Sequence, residues 1–238
     1  MDLRRFFSRA DVNGSFIDLV DEEAYHLKKV LRVKKGKEIE ITDGDGTLYF
    51  GMVDSFLENS VRVKIEKTKR FDKKKKNIII APSLLKRASM NLMIEKLSEI
   101  GVDEITPVLF NRTELKTSDK IIQKWEKIAI ASLKVNKSVW LTKINLPVIL
   151  KDLIEKYKLI NNKIMLDIDG NTKVSDKTVL DTIAVIGPPG DYIIAEKNLL
   201  IENKYKSIKI NSSILKVETA AVSIAAVLKE RDFFVETS

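Results

Sequence analysis

Four consecutive lysines, Lys73–Lys76, separate two parts of the chain whose hydrophobic residues follow different patterns. Four like charges in a row are not accommodated in a hydrophobic core, so this run predicts a domain boundary. Before it, short β-branched and aromatic runs alternate with turn residues such as Asp43–Gly46. After it, strand-like and helix-like segments alternate. The sequence therefore predicts two domains, residues 1–72 and residues 73–238.

The first domain is predicted to be a small β-barrel. Its strand-like runs are Ile39–Thr42, Thr47–Val53 and Val61–Ile65, and turn residues separate them. Asp21–Ala24 opens one helical interruption between the first runs. Short strands with a single helical turn are typical of a sheet that closes around its own core.

The second domain is predicted to be an α/β domain with a mainly parallel sheet covered by helices on both faces. Asn77–Leu84 has the continuous apolar pattern of a buried strand, and Ala88–Val102 has the spacing of an amphipathic helix that Gly101 ends. Strands alternating with helices predict parallel strands joined by helical crossovers. The later elements include a strand over Glu104–Phe110 and helices over Pro147–Lys158 and Asp191–Asn203.

Composition excludes several classes of chemistry. The 238 residues include no cysteine and one histidine, His26, so disulfides, cysteine-ligated metals, thiol catalysis and a histidine-rich metal site are ruled out. The longest apolar runs, such as Ile183–Ile186, are far too short to span a bilayer, and the first residues lack the apolar segment of a signal peptide. We therefore expect a soluble, cytoplasmic protein with no metal and no membrane partner.

The positive charge is concentrated in one short segment. The formal net charge is +8, and residues 61–76 alone contain 9 basic and 2 acidic residues. Such a segment favours binding to a polyanion through the release of counterions. A solvated linker in a lysine-rich chain is the alternative. Charge alone favours a nucleic acid as the partner.

Two loops of the second domain are candidate binding sites. Ile186–Asp191 follows one strand and precedes a helix, and Asn211–Ser213 follows the last strand. Ligands of α/β sheets bind in the crevice at the carboxyl ends of the strands, where glycine and proline leave backbone groups accessible. An ordinary turn is the alternative for the first loop. For Glu218, which follows the second, the alternative is a charge interaction with the helix terminus.

Six segments, taken in order, resemble the RsmE family, SPOUT-class methyltransferases that act on small-subunit ribosomal RNA. Each segment is weak evidence alone, but together they extend over nearly the whole chain in the family's order. The segments are RRFF at 4–7, HLKKVLRVKKG at 26–36, DGDG at 43–46, IEKLSEIGVDEITP at 94–107, IGPPGDYIIAE at 186–196 and ILKVETAAVSIA at 214–225.

The resemblance implies a PUA-like β-barrel that holds RNA, followed by a SPOUT-type domain with a deep trefoil knot in roughly residues 162–238. It implies S-adenosyl-L-methionine as the cofactor, methylation of N3 of a uridine in 16S ribosomal RNA, and a homodimer. The alanine-rich face of the C-terminal helix, with Ala221 and Ala225, is the candidate interface of a symmetric dimer, and the cofactor site is expected to lie near that interface. We expect the cofactor to be bound, mainly through backbone groups, by Leu166, Ile186, Gly187, Pro188, Gly190, Ile210, Asn211, Ser213, Ile214 and Leu215.

Polar residues are assigned to catalysis and RNA binding. A cation is needed near the uracil anion that forms during methyl transfer, and we expect Lys216, or otherwise Lys137, to supply it. Glu218 is the candidate base, with helix capping as the alternative. RNA contacts are expected from Arg4, Arg5, His26, Arg32, Lys73, Lys74, Lys75, Lys76 and Lys86.

Several positions depart from the family pattern. Asp191 and Asn211 replace glycines and are expected to hold the glycine conformation, because Asp and Asn tolerate a positive φ. Lys216 replaces an arginine, and lysine cannot reproduce a bidentate guanidinium. A catalytically impaired or inert RNA-binding relative that binds no cofactor is therefore the alternative function. The remaining departures are Pro189, Ser213 and residues 133–137.

Overall fold

The chain divides into two compact units. The computed structural model describes residues 3–10, 12–72, 76–113, 119–171 and 181–236. Unit 1 comprises Met1–Lys73 and Leu133–Leu141, and unit 2 comprises Lys74–Ser132 and Thr142–Ser238. Residues 133–141, which the sequence places in the second domain, therefore group with the first.

Unit 1 consists of short strands with one helical insertion. Its elements are β1 (Arg5–Phe7), β2 (Phe16–Val20), α1 (Asp21–Tyr25), a π-helical turn (His26–Val30), β3 (Glu38–Thr42), β4 (Thr47–Phe56) and β5 (Ser60–Arg70). Among the described residues these strands form one five-stranded sheet in the order β1–β3–β4–β5–β2. The β1–β3 pair is parallel, and the other neighbours are antiparallel.

All five strands of unit 1 contribute to one core. Ile17 and Leu19 of β2 and Ile39 and Ile41 of β3 are each at most 1% exposed, and Leu27 of the π-helical turn is fully buried with them. Along β2 every second residue faces this core, as the alternation of side chains along a strand requires. The predicted first domain of short strands around one core is confirmed, and the closure of its sheet into a barrel stays a prediction.

The segment Leu133–Leu141 is hydrogen-bonded within unit 1. The Gly46 N–H donates to the Val139 carbonyl, and the Leu141 N–H donates to the Gly44 carbonyl, both at 2.9 Å. A Cβ at Gly46 would overlap the Trp140 ring, so the close approach requires glycine here. The Asp-Gly turn identified in the sequence thus serves as a packing site for a distant segment.

Unit 2 alternates strands and helices. Its elements are β6 (Ile78–Pro82), α2 (Arg87–Ile100), β7 (Glu104–Ile105), β8 (Val108–Leu109), α3 (Asp119–Val135, whose last turn belongs to unit 1), β9 (Lys143–Ile144), β10 (Val148–Ile149), α4 (Leu150–Lys156), β11 (Asn162–Leu166), β12 (Thr182–Ile186), α5 (Ile194–Glu202), β13 (Lys206–Ile208) and α6 (Val217–Glu236). In the described part of the chain, an all-parallel sheet has the order β13–β11–β12–β6–β7–β9, and β8 pairs with β10.

The central strands of the parallel sheet are buried along their whole length. All five residues of β6 and all five of β12 are buried, as expected for parallel strands with helices on both faces. The predicted α/β domain is confirmed. The knot stays a prediction, because the connection from β11 to β12 passes through residues 172–180, which lie outside the described residues.

Three element boundaries differ from the prediction. Pro107 separates β7 from β8, because proline has no N–H to donate to a strand ladder. The helix expected from Pro147 begins at Leu150, since β10 precedes it and pairs with β8. The helix expected from Asp191 begins at Ile194, since the φ of Asp191 is +70° and excludes it from a right-handed helix.

The alanine-rich face of α6 is buried within the chain. Ala221 and Ala225 are fully buried, and α6 packs against α2 and β6. The expectation that this face forms a dimer interface is therefore wrong, because the chain covers it with its own elements. None of the helices among the described residues has the length and apolar character needed to cross a membrane.

We expect Ala225→Leu to lower the free energy of unfolding by about 1–3 kcal/mol, because it inserts three carbons into a closely packed helix contact. Ala226→Leu is the matched control, since Ala226 is exposed on the same helix, and it should change stability by less than about 0.5 kcal/mol. Urea unfolding measures both. Equal stability of the two variants would contradict this packing.

Candidate cofactor site

A cavity of about 840 Å³ opens at the carboxyl ends of β11, β12 and β13. Leu166 pairs with Ile186 and with Ile208, so the three strands end at the same level of the sheet. The start of α2 and the start of α6 complete the walls. The volume lies within the range of small-molecule sites. The lining residues are Leu85, Lys86, Ser89, Leu166–Ile168, Ile186–Asp191, Ile208–Asn211, Ser213–Glu218 and Ala220.

The loop after β12 has a fixed backbone conformation. Gly190 and Asp191 both have positive φ, +84° and +70°, and the Asp191 N–H donates to the Pro188 carbonyl at 3.0 Å. Arg112 Nη1 donates to the Gly190 carbonyl at 2.8 Å. The prediction that Asp191 holds a glycine conformation is confirmed. These turns leave backbone groups of the loop at the cavity wall.

The Tyr192 ring packs against this loop. Its ring lies so close to Gly187 that a Cβ there would approach ring carbons at 2.9–3.1 Å. The Tyr192 hydroxyl donates to the Val185 carbonyl at 3.2 Å, and the ring contacts Phe110 edge-on. Burial raises the pKa of Tyr192 well above its ordinary value, so this hydroxyl is a structural donor.

Glu196 fixes the start of α5. Its Oε2 accepts the Ile193 N–H at 3.0 Å, and its Oε1 accepts the Asn111 N–H at 2.7 Å. The carboxylate is buried, and it satisfies a helix-terminal donor and a donor of the loop after β8 together. The glutamate that ends the IGPPGDYIIAE segment therefore has a structural role.

Asp167, directly after β11, links the β11 wall of the cavity to the β13 wall through its hydrogen bonds. Its Oδ2 accepts Lys197 Nζ at 2.6 Å and the Ser207 hydroxyl at 2.8 Å, and its Oδ1 accepts the Asp169 N–H at 3.0 Å. Burial alone would raise the pKa of Asp167, but the hydrogen bonds from Lys197, Ser207 and Asp169 outweigh it and lower the pKa. Asp167 is therefore held as the carboxylate.

The third wall leads from β13 into α6. Asn211 and Ser213 are exposed, and the Ala220 N–H donates to the Lys216 carbonyl at 2.9 Å where the helix begins. Asn211 is not among the residues with positive φ, so the expected glycine conformation there is wrong. The chain follows this bend without a left-handed residue at that position.

The structure gathers most of the predicted second-domain site residues around this cavity. All ten expected cofactor residues line it, with Lys216 and Glu218. Lys86, assigned to RNA, also lines it. Lys137 does not: it lies in unit 1, where its Nζ donates to the Leu3 carbonyl and lies 3.6 Å from Glu40. Asp167 and Lys209 were missed, although each directly follows a strand end.

The residues predicted to bind RNA differ in whether their side chains are accessible. Arg4, His26 and Arg32 are exposed, and Arg32 has a φ of +49°. Arg5 is not available to RNA, because its side chain is only 6% exposed and pairs with Glu40 at 2.9 Å. It also donates to the backbone carbonyls of residues 137 and 138. Lys76 is buried rather than exposed. Lys73, Lys74 and Lys75 lie outside the described residues.

The basic segment begins as a strand rather than a linker. Its residues up to Arg70 belong to β5, which pairs with β2 and β4. Arg62 donates to both carboxylate oxygens of Asp18, at 2.8 and 2.7 Å, so its charge is compensated. The exposed cations of this strand are Lys64, Lys67, Lys69 and Arg70.

Comparison with known proteins identifies the family. A family model described as an RNA methyltransferase domain matches residues 72–229, and one described as an RNA methyltransferase PUA domain matches residues 19–66. Ribosomal RNA small subunit methyltransferase E of Mesomycoplasma hyopneumoniae is 30% identical over 223 residues, 92% of this chain and 95% of the relative. This chain belongs to the RsmE family. The RsmE relative from Aquifex aeolicus is 25% identical over 227 residues, 93% of this chain and 97% of the relative.

Solved structures share the fold. RsmE of Neisseria gonorrhoeae, bound to S-adenosyl methionine, has a TM-score of 0.86 at 22% identity and covers 96% of this chain and 98% of that one. A Legionella pneumophila protein in complex with bound SAM has a TM-score of 0.87 at 21% identity, covering 97% and 98%. At these identities the comparison establishes the fold of the RsmE family for this chain.

We expect Asp167→Asn to lower the free energy of unfolding by about 1–3 kcal/mol at neutral pH, because Lys197 and Ser207 lose a charged acceptor. Since folding lowers the pKa of Asp167 from 3.8, its stabilisation is complete above that pH and disappears as the pH falls through the folded value. Urea unfolding from pH 7 downwards should show the difference shrinking in acid. Asp169→Asn, at an exposed neighbouring carboxylate, is the control. A difference that stays constant into acid would contradict this role.

Proposed function

We propose that this RsmE-family protein transfers a methyl group from S-adenosylmethionine to N3 of a uridine in small-subunit ribosomal RNA. The observation that supports it most is the convergence of all ten expected cofactor residues on one cavity. Relatives across the full length are named ribosomal RNA small subunit methyltransferase E. A relative of the same fold was crystallised with S-adenosyl methionine.

The cavity fits the chemistry of this cofactor. Its volume of about 840 Å³ is ample for an adenosyl group with a methionine tail. Leu166, Ile186, Ile210 and Leu215 offer apolar surface to an adenine ring. Lysines and carboxylates at the rim offer partners to the charged methionine end. Bound here, S-adenosylmethionine would supply an electrophilic methyl group on a positively charged sulfur.

The chain's own residues would orient the uridine and stabilise its anion. Lys216 is exposed and lines the cavity, so its ammonium can stabilise negative charge on the uracil ring as a point charge. Glu218, two residues on, also lines the cavity and is the candidate acceptor of the N3 proton. Much of the rate would come from holding the two reactants in line.

We also propose a homodimer, with an interface other than the alanine face of α6. Ile214 lines the cavity and is 84% exposed, which is unusual for a large apolar residue at a binding site. A partner subunit covering Ile214 would remove this apolar surface from water. Sedimentation at micromolar concentration tests the oligomeric state.

An inert RNA-binding relative is the second candidate. The contacts that hold Lys137 within unit 1 and the replacement of arginine by Lys216 favour it. Such a protein would retain the barrel and lose the cofactor. Calorimetry with S-adenosylmethionine separates the two, since the inert relative predicts no heat of binding.

Methyl transfer itself tests the proposed function. Small ribosomal subunits from a strain lacking the modification are incubated with the protein and methyl-labelled S-adenosylmethionine. Digestion and mass spectrometry should find one methylated uridine whose fragmentation places the methyl on N3. Label on another base, or no label while the cofactor binds, would contradict the proposal.

We expect Lys216→Ala to reduce the single-turnover rate of methyl transfer about tenfold to hundredfold, because the uracil anion loses its cationic partner. The affinity for S-adenosylmethionine should change little, since backbone groups are expected to hold it. Lys206→Ala removes an exposed lysine of β13 that does not line the cavity, and it should leave the rate unchanged. Equal rates for the two variants would remove Lys216 from catalysis.

We expect Lys67→Gln combined with Lys69→Gln to weaken binding to every RNA. The two lysines lie on β5 beside Phe50 and Phe71, which places cations next to aromatic rings. Each lost phosphate contact should reduce the slope of log affinity against log salt by about 0.7–0.9. The control replaces two exposed lysines of unit 2 by Gln, Lys151 of α4 and Lys158 in the turn after it. An unchanged salt slope in the β5 variant would place the RNA elsewhere.

A further inference from the structure

The charged residues that line the cavity are arranged asymmetrically. Lys86, Lys209 and Lys216 lie at the start of α2 and on the wall between β13 and α6. Asp167 and Asp191 follow β11 and β12 on the other walls. A ligand with a localised positive charge is stabilised on the side of the carboxylates.

Asp167 and Asp191 differ in how far their charges are compensated. Asp167 is 1% exposed and bonded to Lys197. Asp191 is exposed, and the hydrogen bond that the structure gives its carboxylate comes from the adjacent Tyr192 N–H, at 2.8 Å. The hydrogen bond from Lys197 to Asp167 has the largest effect in raising the pKa of Lys197, and the charges of Asp191 and Asp169 raise it further. Three carboxylates therefore act on one ammonium. Asp191 therefore adds an exposed negative charge to a side of the cavity where Lys197 pairs with Asp167 and Arg112 donates to the Gly190 carbonyl.

Asp191 also occupies a backbone position that disfavours it. Its φ is +70°, where glycine is the unstrained residue and Asp is tolerated at a cost. Strain of this kind concentrates at functional sites, where the side chain offsets its cost through function. The Asp191 side chain does not pack into the core, since it is exposed at the cavity.

We propose that the Asp191 carboxylate faces the positively charged sulfur of S-adenosylmethionine and selects it over the uncharged product, S-adenosylhomocysteine. This inference rests on the proposed function. In the transfer, N3 gives up its proton to Glu218, the S–CH₃ bond breaks with its electron pair staying on sulfur, and the N3 electron pair forms the bond to the methyl carbon. The sulfur thereby loses its charge and its attraction to Asp191, which favours exchange of product for fresh cofactor.

Glu218 is another carboxylate at the cavity that could face the positively charged sulfur. It lies in the first turn of α6, where the helix terminus stabilises a negative charge, and it is two residues from Lys216. The helix terminus therefore stabilises the Glu218 charge, whereas the hydrogen bond that the structure gives the Asp191 carboxylate comes from a neutral backbone N–H.

Calorimetry with S-adenosylmethionine and with S-adenosylhomocysteine tests this inference on the full chain. Asp191→Asn should weaken binding of the first about five- to tenfold and leave the second within about twofold, because only the first carries a charge on sulfur. Asp191→Gly should show the same selective loss without the backbone strain. Asp169→Asn, the same charge change at a residue that does not line the cavity, should alter neither affinity.

Equal weakening of both ligands by Asp191→Asn would overturn the inference, since it would mean that the side chain shapes the loop. Unchanged affinities, or a selective loss in Glu218→Gln instead, would also overturn it. Wild-type binding of both ligands without preference would overturn the inference and leave the proposed function standing. Binding of neither ligand would remove the proposed function as well.

Discussion

The parallel register of β11, β12 and β13 is the constraint on which the proposed site depends. Leu166 pairs with both Ile186 and Ile208, so three loops leave the sheet at one level and surround one cavity. A slip of one residue would exchange the faces of a whole strand and separate these loops. The Asp167 N–H, which donates to the Ile208 carbonyl at 3.0 Å, and its carboxylate, which accepts the Ser207 hydroxyl, hold this register at the cavity wall.

The site was accessible from the sequence because its loops follow strand ends and resemble the corresponding segments of the RsmE family. Buried parallel strands are continuous apolar runs, so β12 and the loop Ile186–Asp191 after it could be located from residue types alone. The left-handed conformation of Asp191 followed from replacing a glycine with a residue that tolerates positive φ. The same rule failed at Asn211, where the bend uses another conformation and nothing in the residue type indicates it.

Cations were harder to assign, because a charge in the sequence does not show whether a distant carboxylate compensates it. Arg5 is paired with Glu40, 35 positions away, and Lys137 lies 3.6 Å from the same carboxylate. Both were assigned to RNA or catalysis on residue type. The basic segment shows the opposite case: β5 makes it part of a sheet, which orders Lys67 and Lys69 on a defined surface. Pairing with carboxylates that are distant in the sequence therefore decides which basic side chains remain available to bind RNA.

A crystal structure of the protein grown with saturating S-adenosylmethionine tests the central claim most directly. We predict one cofactor per chain in the cavity between the loops after β11, β12 and β13, with the adenine against Leu166, Ile186 and Leu215 and hydrogen bonds to backbone groups of Gly187–Gly190 and Ile210–Leu215. An empty cavity at saturating cofactor, or the cofactor bound at another surface, would contradict the account.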